Sequence, residues 1–113
     1  MSKTETIRNQ NDRLRGGDSS IPGRILITRG LQSLIATCGS QIEHLVSVVA
    51  SFATFDEDND PHGEHDFGQF DFEGQSCYWK IDYYNLSLDG GSEDPSDLTR
   101  THRVLTIMLA QEY

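Results

Sequence analysis

Three features of this chain predict an α+β fold in which a small antiparallel sheet packs against one main helix. The clearest helical periodicity begins at Ser40, where apolar residues return at three-and-four spacing. Short runs around Ile25, Trp79 and Leu105 are rich in branched and aromatic residues, as strands are. Between these runs lie two long polar stretches dense in Asp, Asn, Gly and Pro, residues that favour turns over regular structure.

At 113 residues the chain suits one domain and is too short for two. Residues 1–20 read as a flexible basic arm, dominated by Asn, Asp, Ser and the pair Gly16-Gly17. Ile7 and Leu14 would share one side of a turn or two of helix, too little apolar surface to dock firmly. Residues 21–113 form the single domain. The run Arg24-Ile25-Leu26-Ile27-Thr28-Arg29, bounded by Gly23 and Gly30, reads as a short strand. Ser40 with Glu43 fits a capping box, and Ile42, Leu45, Val46, Val49, Phe52 and Ala53 make one face, so the spacing predicts a helix over 40–54. Val48 falls off that stripe.

Asp56 to Asp66 is a turn-rich loop. Phe70 and Phe72 then alternate with Gln69 and Asp71, Glu73-Gly74-Gln75 makes a tight connection, and Cys77 to Tyr84 continues in strand-favouring residues. Alternation predicts a hairpin with Cys77, Trp79, Ile81 and Tyr83 on the helix side. Tyr78, Lys80, Asp82 and Tyr84 take the opposite, partly solvated face. Residues 85–101 form a second loop. Arg103 to Ala110 is apolar almost throughout and reads as a strand buried on both faces, although Leu105, Met108, Leu109 and Ala110 would also suit a helix.

The apolar runs are far shorter than the ~20 residues of a membrane span. The first fifteen residues are polar, unlike a secretory signal. We therefore expect a cytoplasmic protein, in which Cys38 and Cys77 are reduced thiols. Charge is unevenly placed. The chain has a formal net charge of -9, yet residues 1–30 carry six bases against three acids, and Asp56 to Asp97 carry thirteen acids against Lys80 alone. A body of that sign repels phosphates, which argues against direct nucleic-acid binding and for attraction to basic protein surfaces.

Several segments are distinctive: Asn59-Asp60-Pro61-His62-Gly63-Glu64-His65-Asp66-Phe67-Gly68, Trp79-Lys80-Ile81-Asp82-Tyr83-Tyr84, and Arg103 to Tyr113. With Leu26-Ile27-Thr28-Arg29-Gly30 they resemble a small bacterial family of unknown function that has the form NDPxGEHDFGxF, WKIDYYD and RVLTIMLAxEY. The resemblance covers residues 24–113, departing at Asn85 where Asp is commoner. It implies no activity. It does imply a context, because such proteins tend to be encoded on plasmids, phages and integrated elements, often beside anti-restriction or replication genes.

Residues His62, Glu64, His65 and Asp66 are the most ligand-like group, with two imidazoles and two carboxylates of the kind that hold Zn²⁺. Their spacing differs from the helical H-E-x-x-H site, so fastening of the loop by hydrogen bonds is the better expectation. Asp56, Asp58 and Asp60 open like an EF-hand, but Pro61 and Phe67 occupy positions that need Gly and Glu. Lys80 and Asp82 share a strand face and suit a plain salt bridge. Tyr78 and Tyr84 suit a protein interface.

We therefore expect a non-enzymatic interaction protein of a mobile element, with no cofactor. It would inhibit a host defence nucleoprotein, such as a CRISPR effector or restriction enzyme, by occupying the surface meant for nucleic acid. The expected contacts are Asp56, Glu57, Asp58, Asp60, Glu64, Asp71, Glu73, Tyr78, Tyr84, Asp89, Glu93 and Asp94; a homodimer stays open. The alternative is a small metal-dependent hydrolase or nuclease using His62, Glu64, His65 and Asp66.

Overall fold

The computed structural model describes residues 2–113. Their order is α1 (Lys3–Arg15), β1 (Gly23–Ile27), α2 (Arg29–Cys38), α3 (Ile42–Ala50), β2 (Phe67–Phe72), β3 (Gln75–Tyr84), β4 (His102–Leu109) and a closing 3-10 turn (Ala110–Glu112). The fold is α+β, as expected. Two details differ. The sheet has the order β1-β4-β3-β2 and is mixed, because β1 runs parallel to β4 while the other pairs are antiparallel. Three helices, rather than one, cover its inner face.

Alternation in β3 and β4 builds that inner face. Trp79 pairs with Ile107, Ile81 with Leu105 and Cys77 with Leu109. All six are buried, together with Leu31 and Ile35 of α2 and Leu45 and Val49 of α3. The β2–β3 connection turns through Glu73 and Gly74, both at positive φ (52° and 75°), as a two-residue type I′ hairpin requires. On β2, Gly68 faces Trp79, and a Cβ there would lie 2.7 Å from Trp79 Cε2 and 2.8 Å from Phe52 Cζ. Glycine is needed at that point for the indole to lie against the strand.

The expected flexible arm is instead a docked helix. Ser2 caps α1 by accepting the Glu5 N–H, and Ile7, Asn11 and Leu14 face inward at three-and-four spacing. Polar residues complete the stripe. Arg15, only 5% exposed, donates to the carbonyls of Val49, Ala50 and Phe52 at the C-terminal end of α3 and to Asp12. Its guanidinium lies 4.9 Å from the Trp79 ring centroid. A cation meeting the free carbonyls of a helix end suits both the hydrogen bonds and the dipole there.

The helix expected over 40–54 is shorter, at Ile42–Ala50, and Ser40 and Glu43 form no capping box: Gln41 is the N-cap, without a side-chain bond. Leu45 and Val49 are buried on its stripe, while Ile42 is 48% exposed. The strand expected over 24–29 ends at Ile27, because Thr28 already begins α2 as its N-cap. Among the described residues, no single helix is long and apolar enough to cross a membrane.

Candidate functional site

The same alternation that buries Trp79 turns Lys80, Asp82 and Tyr84 to the outer face of the sheet, which no helix among the described residues covers. β4 adds Val104, Thr106 and Met108 as the floor, and Arg24 and Leu26 of β1, with the α2 N-cap Thr28, make one wall. Leu88 and Tyr113 close the ends, and together they shape an open groove of about 590 Å³. Leu26 is 47% exposed, Leu88 44% and Tyr113 73%, so apolar and aromatic side chains stay accessible along the groove. Tyr113 stands edge-on to Tyr78 at 5.5 Å, and Phe67 lies 5.1 Å from Tyr78. The expected Lys80–Asp82 bridge forms, at 2.7 Å, and that hydrogen bond holds the lysine above its ordinary value. Tyr78 and Tyr84 thus lie on the open face, as the strand alternation predicts.

Glu112 shapes one rim of the groove. Its carboxylate accepts from the Thr28 hydroxyl and from the N–H groups of Gly30 and Leu109, joining the chain end to the start of α2. Burial works to raise its pKa, but these three bonds together hold it below the usual glutamate value. A carboxylate at a helix N-terminus is stabilised in this way.

The expected acidic contacts divide. Asp56, Glu57 and Asp58 form an exposed turn, in which Asp56 Oδ1 accepts from the N–H groups of Asp58 and Asn59. Asp71 and Glu73 stand at the hairpin end of β3. Asp89, Glu93 and Asp94 stand near its other end, where Tyr84 bridges to Gly91. Ten residues of strand separate the two groups, roughly 30 Å at the rise of an extended chain. Asp94 is engaged by Lys3 and Arg100. Hydrogen bonding to Ser96 comes before a smaller opposing effect of burial and leaves its carboxyl below the usual range.

Asp60 and Glu64 are structural. Asp60, 8% exposed, accepts the His65 N–H. The His65 ring lies between Asp12 (Nδ1, 2.9 Å) and Asp60 (Nε2, 3.7 Å) and stacks on Phe55 at 3.7 Å. Glu64 accepts the Tyr83 hydroxyl, which itself accepts from Asn11. Burial, then the Glu64 contact, pushes the Tyr83 phenol upward. Asp66 is raised by burial first and by neighbouring Glu64 next. Among the described residues, no three His, Cys, Asp or Glu side chains converge as metal ligands would. His62 is exposed, while His65 and Glu64 are each bonded to other elements.

Beneath this loop, Arg103 is fully buried and donates to Asn11 Oδ1, Gln10 Oε1 and the Pro95 carbonyl, with its guanidinium 5.1 Å from the Tyr83 ring centroid. Burial disfavours its charge, and Tyr83 and Glu64 act in the opposite sense. Sequence reasoning assigned Arg103 only to a strand and did not foresee this network. The signal available was a lone arginine in an otherwise apolar run, which demands a buried polar partner.

The residues from 27 to 112 match the family model described as a protein of unknown function, DUF3768. The chain belongs to this family. The match lies within the 24–113 stretch of the resemblance and takes in α2, α3, the hairpin and β4, whereas α1 and most of β1 precede it. No curated protein and no solved structure matches the chain.

Proposed function

We propose that the chain is a non-enzymatic cytoplasmic interaction module whose open sheet face docks on a basic protein surface. The observation that carries this reading is the uncovered groove, where Leu26, Tyr84, Leu88 and Tyr113 offer apolar and aromatic anchors that the protein's own helices leave free. Aromatic anchors in a desolvated patch supply most of the affinity in protein interfaces. The net charge of -9 favours a basic partner and speeds encounter with it. Basic surfaces are common on nucleic-acid-handling proteins. Together with the mobile-element context that the resemblance implies, this favours a host defence complex, a CRISPR effector or restriction enzyme, whose nucleic-acid surface would be occupied.

The groove itself has a mixed rim, with Arg24 and Lys80 beside Asp82 and Glu112. The anchors therefore fix the docking, and the exposed turn Asp56-Glu57-Asp58 steers it. The test is capture of a partner from host lysate with the tagged chain, followed by competition with DNA or guide RNA. Affinity should fall with salt, since exposed charges are screened beyond ~8 Å at physiological ionic strength. Changing Asp56 and Asp58 to Asn and Glu57 to Gln should slow association and leave the fold intact. Asp60 is left out of that variant because it is buried. A partner indifferent to salt, to these changes and to nucleic acid would overturn charge-guided occupation.

A further inference from the structure

We infer that the free edge of β1 pairs with β1 of a second copy of this chain, joining two sheets into one of eight strands. β1 ends the strand order, bonded to β4 alone. The Pro22 carbonyl accepts from Arg103, and the Thr28 N–H donates to Ile107. The N–H and C=O of one strand residue point the same way, so the even-numbered residues face β4 and Gly23, Ile25 and Ile27 face outward. The Gln32 side chain agrees with this: it donates to the outward Ile27 carbonyl at 2.7 Å. Gly23 and Ile25 keep their outward groups for another strand.

Those groups are self-complementary. An antiparallel partner centred on Ile25 sets Ile25 against Ile25 in a pair that exchanges both backbone hydrogen bonds, and Gly23 against Ile27, where the Ile27 N–H can donate to Gly23 while Gln32 has to share or release the Ile27 carbonyl. A parallel strand would not be two-fold symmetric, and among antiparallel registers the one centred on Ile25 is the one that sets all three outward residues opposite one another. Ile25 is 38% exposed although it lies on the helix side of the sheet, so a second Ile25 would cover apolar surface that the helices leave bare.

Natural edges are usually protected by charge, proline, a bulge or a covering segment. The far edge, β2, carries Asp71. On β1 the one charged side chain, Arg24, is turned along the open face to His102 at 3.2 Å. The face of α2 that borders the edge, marked by Gln32, continues one turn later at Ala36, and Ser33 and Ala36 are small and exposed. Arg29 and Gln32 lie on that face too and are long and exposed, so the small Ser33 and Ala36 supply the room between two copies of α2. The pairing leaves the groove uncovered and places two grooves on one continuous face, so it stands or falls separately from the proposed function.

The test is the mass of the full chain in solution across a dilution series. The parent should approach twice 12.7 kDa when concentrated, and Ile25→Lys should shift the population to the single-chain mass while its circular dichroism matches the parent. An independent arm uses Ile25→Cys in a Cys38→Ser background. Mild oxidation should link two chains, and Leu86→Cys, in the same background and more exposed (62% against 38%), should not link. A parent that remains at the single-chain mass at its highest soluble concentration overturns the inference. So does a dimer that persists in Ile25→Lys without cross-linking through position 25.

Discussion

The two faces of β3 carry opposite instructions within ten residues of one strand. On the inner face, Cys77, Trp79 and Ile81 are closed over by three helices, and the polar groups that enter this side, Arg15 and Arg103, are almost fully enclosed. On the outer face, Lys80, Asp82 and Tyr84 line an open groove, and Tyr78 lies beside it against Tyr113. Burial of the first set provides the cohesion of the domain. Exposure of the second adds little to it and leaves anchors for something else. A change on the inner face should therefore be felt in stability, and one on the outer face in recognition.

The largest effect is expected at Arg103. Arg103→Ala leaves Asn11, Gln10 and the Pro95 carbonyl without their buried donor, at about 1–3 kcal/mol for each buried group left unsatisfied. Urea unfolding should show it as a large fall in the midpoint. An unchanged midpoint would mean that the inner face does not depend on its polar half. Next comes Gly68→Ala, which drives a methyl into the Trp79 ring. Overpacking of this kind costs about 1–3 kcal/mol, and the near-ultraviolet signal of the single tryptophan should change with it.

A smaller effect belongs to Glu112, at the border between the faces. Its folded pKa is depressed, so its contribution is present above the ordinary glutamate value of 4.5 and is lost as pH falls through the lower folded value. Because the side chain is exposed and screened, Glu112→Gln should cost only about 0.5 kcal/mol near neutral pH. The difference between parent and variant should vanish in acid. A gap in melting temperature that persists or widens at low pH would assign the effect to packing rather than to charge.

Much of the inner face was legible because it follows simple periods. Cys77, Trp79, Ile81 and Tyr83 obey the period of two, and Leu45 and Val49 the helical one. The residues that escaped notice break those patterns. α1 has a stripe that includes Gln10, Asn11 and Arg15, which reads as polar until their partners on α3, β3 and β4 are known; none of these lies near α1 in sequence. α2 carried its own signals in Leu31, Leu34 and Ile35 followed by Gly39, whose φ of 69° ends the helix, but it follows a strand directly and no side-chain cap marks its start. The parallel pairing of β1 could not be read, because strand direction depends on how residues 28–101 cross over. At the site, Tyr78 and Tyr84 were placed by alternation alone. The inward turn of Asp60 and Glu64 was hidden, since an acidic run says nothing about which carboxylates find donors.

The division between the faces is tested most directly by a double variant on the outer one, Leu26→Ser with Tyr84→Ala. Its thermal unfolding should be measured beside the capture of partner from host lysate. Surface changes of this kind usually alter stability by about 0.5 kcal/mol or less each. The expected result is a melting temperature within a few degrees of the parent and a partner yield reduced at least tenfold. Undiminished capture, or a collapse of the fold with no separate loss of binding, would contradict the assignment of recognition to the open face.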